Sequence, residues 1–78
     1  MEIELLKNAI SARREQGCIF YEVHQGIENK NVFVLYEKWK SQNDLDLHFQ
    51  MPYMKEWISR RDYYIEKRER IIAERLEK

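Results

Sequence analysis

One cysteine, one proline and two glycines in 78 residues leave little punctuation and no cross-linking chemistry. Cys18 alone excludes an internal disulfide and any multi-cysteine zinc site, and fits a reducing compartment. With only Arg13 and Arg14 nearby to favour a thiolate, it reads as a small apolar packing residue. Charge of one sign is also lacking, since fourteen Lys and Arg balance fourteen Asp and Glu. That balance leaves no basic excess for phosphates and no acidic excess for cations, so nucleic acid is not an expected partner. The longest apolar run, Val32 to Tyr36, falls far short of a membrane span. The start, Met1-Glu2-Ile3-Glu4, lacks the basic flank and apolar stretch of a signal peptide. The expectation is a cytoplasmic protein with no membrane partner. What is present, 44% apolar and 36% charged residues, is globular composition and excludes disorder and collagen. Residues 1–78 read as a single domain, one small enough to be marginal alone and to benefit from a partner.

Gly17 ends the first element. Upstream, Ile3, Leu5, Leu6, Ala9, Ile10, Ala12 and Arg13 recur at helical intervals, and Arg13 and Arg14 suit the negative end of a helix dipole. The spacing predicts a helix over 2–15. Cys18 to Gln25 is rich in aromatic and branched residues and reads as a strand. Turn residues from Gly26 to Asn31 lead into a second strand, Val32 to Trp39, which makes an antiparallel hairpin.

Alternation places Ile19, Tyr21 and Val23 on one face of the first strand and Cys18, Phe20 and His24 on the other. In the second strand, Phe33, Leu35 and Trp39 oppose Val34 and Tyr36. Both faces are apolar, whereas a sheet with one wet face alternates cleanly. A second layer beyond this chain's own helices is therefore expected, and a homodimer stacked sheet on sheet supplies it.

Ser41-Gln42-Asn43-Asp44 sets a capping hydroxyl three residues ahead of an acidic side chain, so a short helix begins there, with Leu45, His48 and Phe49 on one stripe. Pro52 disfavours helical geometry at Met51, which predicts a stop near Gln50 and a restart at Pro52. Trp57 and Ile58, Tyr64 and Ile65, and Ile71 and Ile72 then repeat as pairs every seven residues. That repeat predicts a long helix over about 53–77. Arg61, Arg68 and Arg75 share an intervening position; with acidic partners in helical reach they read as a solvated face.

Three ordered stretches, Arg14 to Gln25, Phe33 to Gln42 and Leu45 to Tyr53, closely resemble the antibiotic biosynthesis monooxygenase (ABM) family over about residues 5–58. The resemblance implies an α+β, ferredoxin-like fold, here truncated to α-β-β-α-α with the hairpin covered by helices, and dimerised through its sheets into an α+β barrel. Two features depart from the family pattern. The usual first strand is missing, so a partner chain fills its place, the domain is rearranged, or the sequence is a truncated version of a longer protein. The usual last strand is replaced, in this reading, by the long C-terminal helix.

The resemblance implies, as the expected activity, cofactor-independent oxygenation of a quinol-like or other small aromatic compound; whether this chain is an enzyme is left open. Such chemistry needs a dry apolar pocket and one base to remove a phenolic proton. Tyr21, Tyr36, Trp39, Phe49, Tyr53 and Trp57 supply candidate walls, and His48 and His24 candidate bases. His48, on an inward stripe beside Phe49, is the better base, because His24 lies near a strand end. Taken singly, each of these residues is more commonly core packing than chemistry. No cofactor is expected. Haem-degrading relatives carry an axial histidine where this chain has Ile58, and the two histidines lie on different elements without metal-ligand spacing. The alternative is a non-catalytic oligomerising domain of the same fold.

Overall fold

In the computed structural model, which describes residues 1–74 and 76, the first helix, α1, runs Glu2–Arg13. Glu2 and Glu4 lie in its positive first turn and Arg13 in its negative last turn, as the helix dipole favours. Its buried stripe is Leu5, Asn8, Ala9 and Ala12, while Ile3, Leu6 and Ile10 are exposed. The expected stripe was thus too wide. The small side chains of Ala9 and Ala12 let the helix lie close to the sheet, and this turns the larger residues beside them outward.

The strands β1 (Cys18–Gln25) and β2 (Phe33–Trp39) form a two-stranded antiparallel sheet. Val23 pairs with Leu35, Tyr21 with Glu37 and Cys18 with Trp39, and the register shifts between Cys18 and Phe20. This bulge corrects the expected alternation. The extra residue, Ile19, is exposed, and Cys18 instead packs with Tyr21, Val23 and Trp39 on the helix-facing side against Ala9 and Ala12. Phe20 and Tyr36 meet edge-on across the outer face, with ring centroids 5.0 Å apart.

The helix α2 spans Gln42–Gln50. As expected, Ser41 caps it: Oγ accepts from the Asp44 backbone N–H at 3.1 Å and donates to Asp44 Oδ2 at 2.8 Å. Met51 is extended at φ −63°, ψ 140°, and Pro52 starts α3, Pro52–Arg60. A second core cluster, Leu5, Met54 and Trp57, joins α1 to α3, with Phe33, Phe49 and Ile65 against it. Arg60 Nη2 donates to Glu4 Oε2 at 2.8 Å and ties the same helices at the surface.

The helix expected to run to about residue 77 ends at Arg60. One 3-10 turn, Arg61–Tyr63, follows, and residues 65–74 contain no helix; Arg75, Glu77 and Lys78 lie outside the described residues. Past Tyr64 the apolar pattern is left largely unpacked among the described residues: Ile71 is 85%, Ile72 61% and Leu76 97% exposed. A helix is held chiefly by burial of its apolar face, and periodicity without a mate leaves it unsupported. No helix among the described residues is long and apolar enough to cross a membrane.

Candidate active site

The helix α1 ends two residues before Glu15, whose backbone N–H still bonds Ala12 O at 3.0 Å and whose own carbonyl accepts from Cys18 N–H at 3.1 Å. The tight exit aims the Glu15 side chain toward α2. Gly17 permits the approach: it is buried, its carbonyl accepts from Lys40 N–H at 2.8 Å, and a Cβ on it would overlap the Cβ and Cγ of Asp44. The start of α2 is therefore pressed against the α1 to β1 connection. That contact holds His48, two turns along α2, over Glu15.

The His48 imidazole is fully enclosed, with 1% of its side chain exposed. Its Nδ1 lies 2.6 Å from Glu15 Oε2 and 3.2 Å from the Tyr53 hydroxyl, which itself donates to the same Glu15 oxygen. The ring of Trp39 tilts over the imidazole at 4.5 Å between centroids, Phe49 stands at 5.2 Å, and Tyr21 and Tyr53 are each at 6.0 Å. His48 Nε2 is buried among these side chains and has no hydrogen-bond partner among the described residues. A buried polar atom without a partner costs roughly 1–3 kcal/mol, which makes it a marker of function.

Two phenols here are held in their protonated form. Burial, and then the hydrogen bond to the Glu15 carboxylate, pushes Tyr53 well above the usual tyrosine range. Burial, with Glu37 adding to it, does the same for Tyr21. Trp39 is oriented by donating Nε1–H to Glu37 Oε1 at 3.0 Å.

The structure thus gathers His48, Tyr21, Trp39, Phe49 and Tyr53 into one cluster. It leaves three of the expected residues elsewhere. His24 lies on the outer face, its side chain 57% exposed and its Nε2 3.0 Å from Glu22 Oε1. Tyr36 is on that face too, against Phe20, and Trp57 packs with Leu5 and Met54 while stacking on Tyr64 at 5.9 Å. The residue that sequence reasoning missed is Glu15. The run Arg13-Arg14-Glu15-Gln16-Gly17 looks like a solvated helix end, and only a glycine that closes the turn toward a distant histidine hints otherwise. The surface concavity lined by Gly26, Ile27, Glu28, Asn29 and Val32 contains none of these groups. No cluster of three or more potential metal ligands occurs among the described residues.

The family model for antibiotic biosynthesis monooxygenase matches residues 3–60, three quarters of the chain and every element described above except the final turn. The chain belongs to the ABM family. Its α+β, ferredoxin-like architecture is shared with solved structures. Rv0793 from Mycobacterium tuberculosis aligns over 86% of this chain and 67% of its own, with a TM-score of 0.79 at 21% identity. A Deinococcus radiodurans protein classed with the antibiotic biosynthesis monooxygenases aligns over 94% and 81%, at 0.76 and 21%. At that identity both speak to fold alone. A conserved protein from Methanosarcina mazei Go1 is 31% identical, with a TM-score of 0.74 over 85% of this chain and 66% of its own. An uncharacterized protein of Synechocystis sp. is 37% identical over 49 residues, 63% of this chain, and the aligned stretch spans only 33% of that relative's length.

Proposed function

We propose that this ABM protein is a cofactor-independent monooxygenase of a quinol-like or other small aromatic compound, with His48 as the base. The observation that carries the reading is His48 Nε2, a ring nitrogen buried among aromatic walls and without a partner among the described residues, on an imidazole whose other nitrogen meets a carboxylate. The substrate reaches it past Trp39, Phe49 and Tyr53, the half-buried members of the cluster. Nε2 takes the phenolic proton, and the electron-rich anion reduces molecular oxygen. One oxygen atom ends on a ring carbon as a carbonyl, while that carbon's single hydrogen and the phenolic hydrogen leave with the other oxygen, as water. The protein supplies proton transfer and exclusion of bulk water. Oxygen uptake with a panel of quinols and flavonoids tests this: uptake by the wild type that is lost in His48→Ala supports it, and a wild type that neither binds nor consumes oxygen removes it.

The second reading, a non-catalytic oligomerising domain, is favoured by the complete enclosure of His48. Both readings share a homodimer and a cytoplasmic setting. A two-stranded hairpin is marginal by itself, and its outer face carries Phe20 with Val34 and Tyr36, 55% and 61% exposed, where a second sheet would pack.

A further inference from the structure

We infer that Glu15 is the positioning residue of this site, its carboxylate fixing the His48 imidazole in the tautomer that holds its proton on Nδ1 and leaves Nε2 bare. The role rests on the oxygenase reading above, in which Nε2 receives the substrate proton. Three observations converge on it. The Nδ1 to Oε2 separation of 2.6 Å is that of a charge-assisted hydrogen bond, and a carboxylate only accepts, so a lone pair on Nδ1 at this distance would set two acceptors against each other. The one other group that reaches Nδ1, the Tyr53 hydroxyl, has its proton engaged by the same carboxylate oxygen and stands farther off at 3.2 Å. At the opposite edge of the ring, Nε2 faces no acceptor among the described residues, and an orphaned buried N–H is rarer in proteins than an under-used acceptor. When Nε2 takes up a proton, the ring becomes a cation held against a carboxylate that is already in place. Glu15 needs no contact with substrate to do this; it acts through the histidine, as the carboxylate does in a catalytic triad.

The test is nitrogen-15 NMR of the two histidines in the full chain without substrate, using long-range proton couplings to assign the tautomer, with exposed His24 as the internal reference. The expected spectrum shows His48 protonated at Nδ1 and bare at Nε2. Glu15→Gln, whose amide can donate to Nδ1, moves the proton to Nε2, whereas Tyr53→Phe leaves it on Nδ1. Should Glu15→Gln fail to fold, the wild-type and Tyr53→Phe spectra still decide. In turnover, Glu15→Gln lowers kcat by about 100-fold or more with KM changed less than about threefold. A wild-type His48 protonated at Nε2, or a tautomer unmoved in folded Glu15→Gln, overturns the assignment. The spectrum is read without turnover, so a protein with the stated tautomer and no oxygen uptake loses the oxygenase reading alone.

Discussion

Removing the Glu15 carboxylate should be among the most costly single changes outside the apolar core. Its side chain is 10% exposed and accepts from two donors, His48 Nδ1 and the Tyr53 hydroxyl. A hydrogen bond to a charged group contributes about 1.5–3 kcal/mol, and a buried donor left unmatched costs about 1–3 kcal/mol. Two effects offset part of the loss. The half-buried Tyr53 can turn to water or accept from Nδ1, and the desolvation cost of the carboxylate disappears with it. Glu15→Ala is therefore expected to destabilise by about 2–4 kcal/mol, out of a total of roughly 4–12 kcal/mol for a domain of this size. Glu15→Gln, whose amide still hydrogen-bonds Nδ1 by donating to it, should lose about 1–2 kcal/mol. Urea unfolding followed by tryptophan fluorescence measures both, because Trp39 lies over the affected imidazole. At an m-value of roughly 1 kcal/mol per molar, the alanine variant's midpoint falls by about 2 M or more. Midpoints of both variants within experimental error of the wild type, at unchanged m, would refute the reading of Glu15 as a buried acceptor.

Gly17→Ala should destabilise by about 1–3 kcal/mol, because the added methyl meets the Asp44 side chain at its root and not at a flexible tip; thermal unfolding checks it, and an unchanged midpoint would show that α2 does not press on this turn. At alkaline pH the sign follows from the Tyr53 phenol, whose folded-state pKa lies above its ordinary value of 10.0. Its contribution is complete below that value and is lost as pH rises beyond it, so stability should fall from about pH 10 upward and fall less steeply in Tyr53→Phe. Tyr36→Lys, on the open outer face, should leave the fold intact while shifting a dimer toward monomer in sedimentation equilibrium; a wild type already monomeric at micromolar concentration would sink the proposed sheet-on-sheet assembly.

Local chemistry made most of the elements legible. The Ser41 hydroxyl, the restraint Pro52 places on Met51 and the branched composition of both strands act within a few residues, so the starts of α2 and α3 and the hairpin fall where sequence places them. Periodicity failed where its meaning depends on a partner surface. The Ile71 and Ile72 pair has the spacing of a helix stripe, yet both side chains are largely exposed, and Ile3, Leu6 and Ile10 share the spacing of Leu5 and Ala9 while facing outward.

Ordered motifs in the sequence carried the family, while the order of helices and strands and the inward aim of His48 follow from short-range sterics, capping and the spacing of apolar residues. Tertiary structure alone decided which side chains meet that histidine. It drew in Glu15 across thirty-three residues of chain, left His24, Tyr36 and Trp57 elsewhere, and used one bulge to move Cys18 inward and Ile19 out. The physical reason is that a carboxylate near a helix end is ordinarily solvated. Only the close approach at Gly17, a contact between segments distant in the chain, turns Glu15 from a surface charge into the acceptor on which the buried imidazole depends.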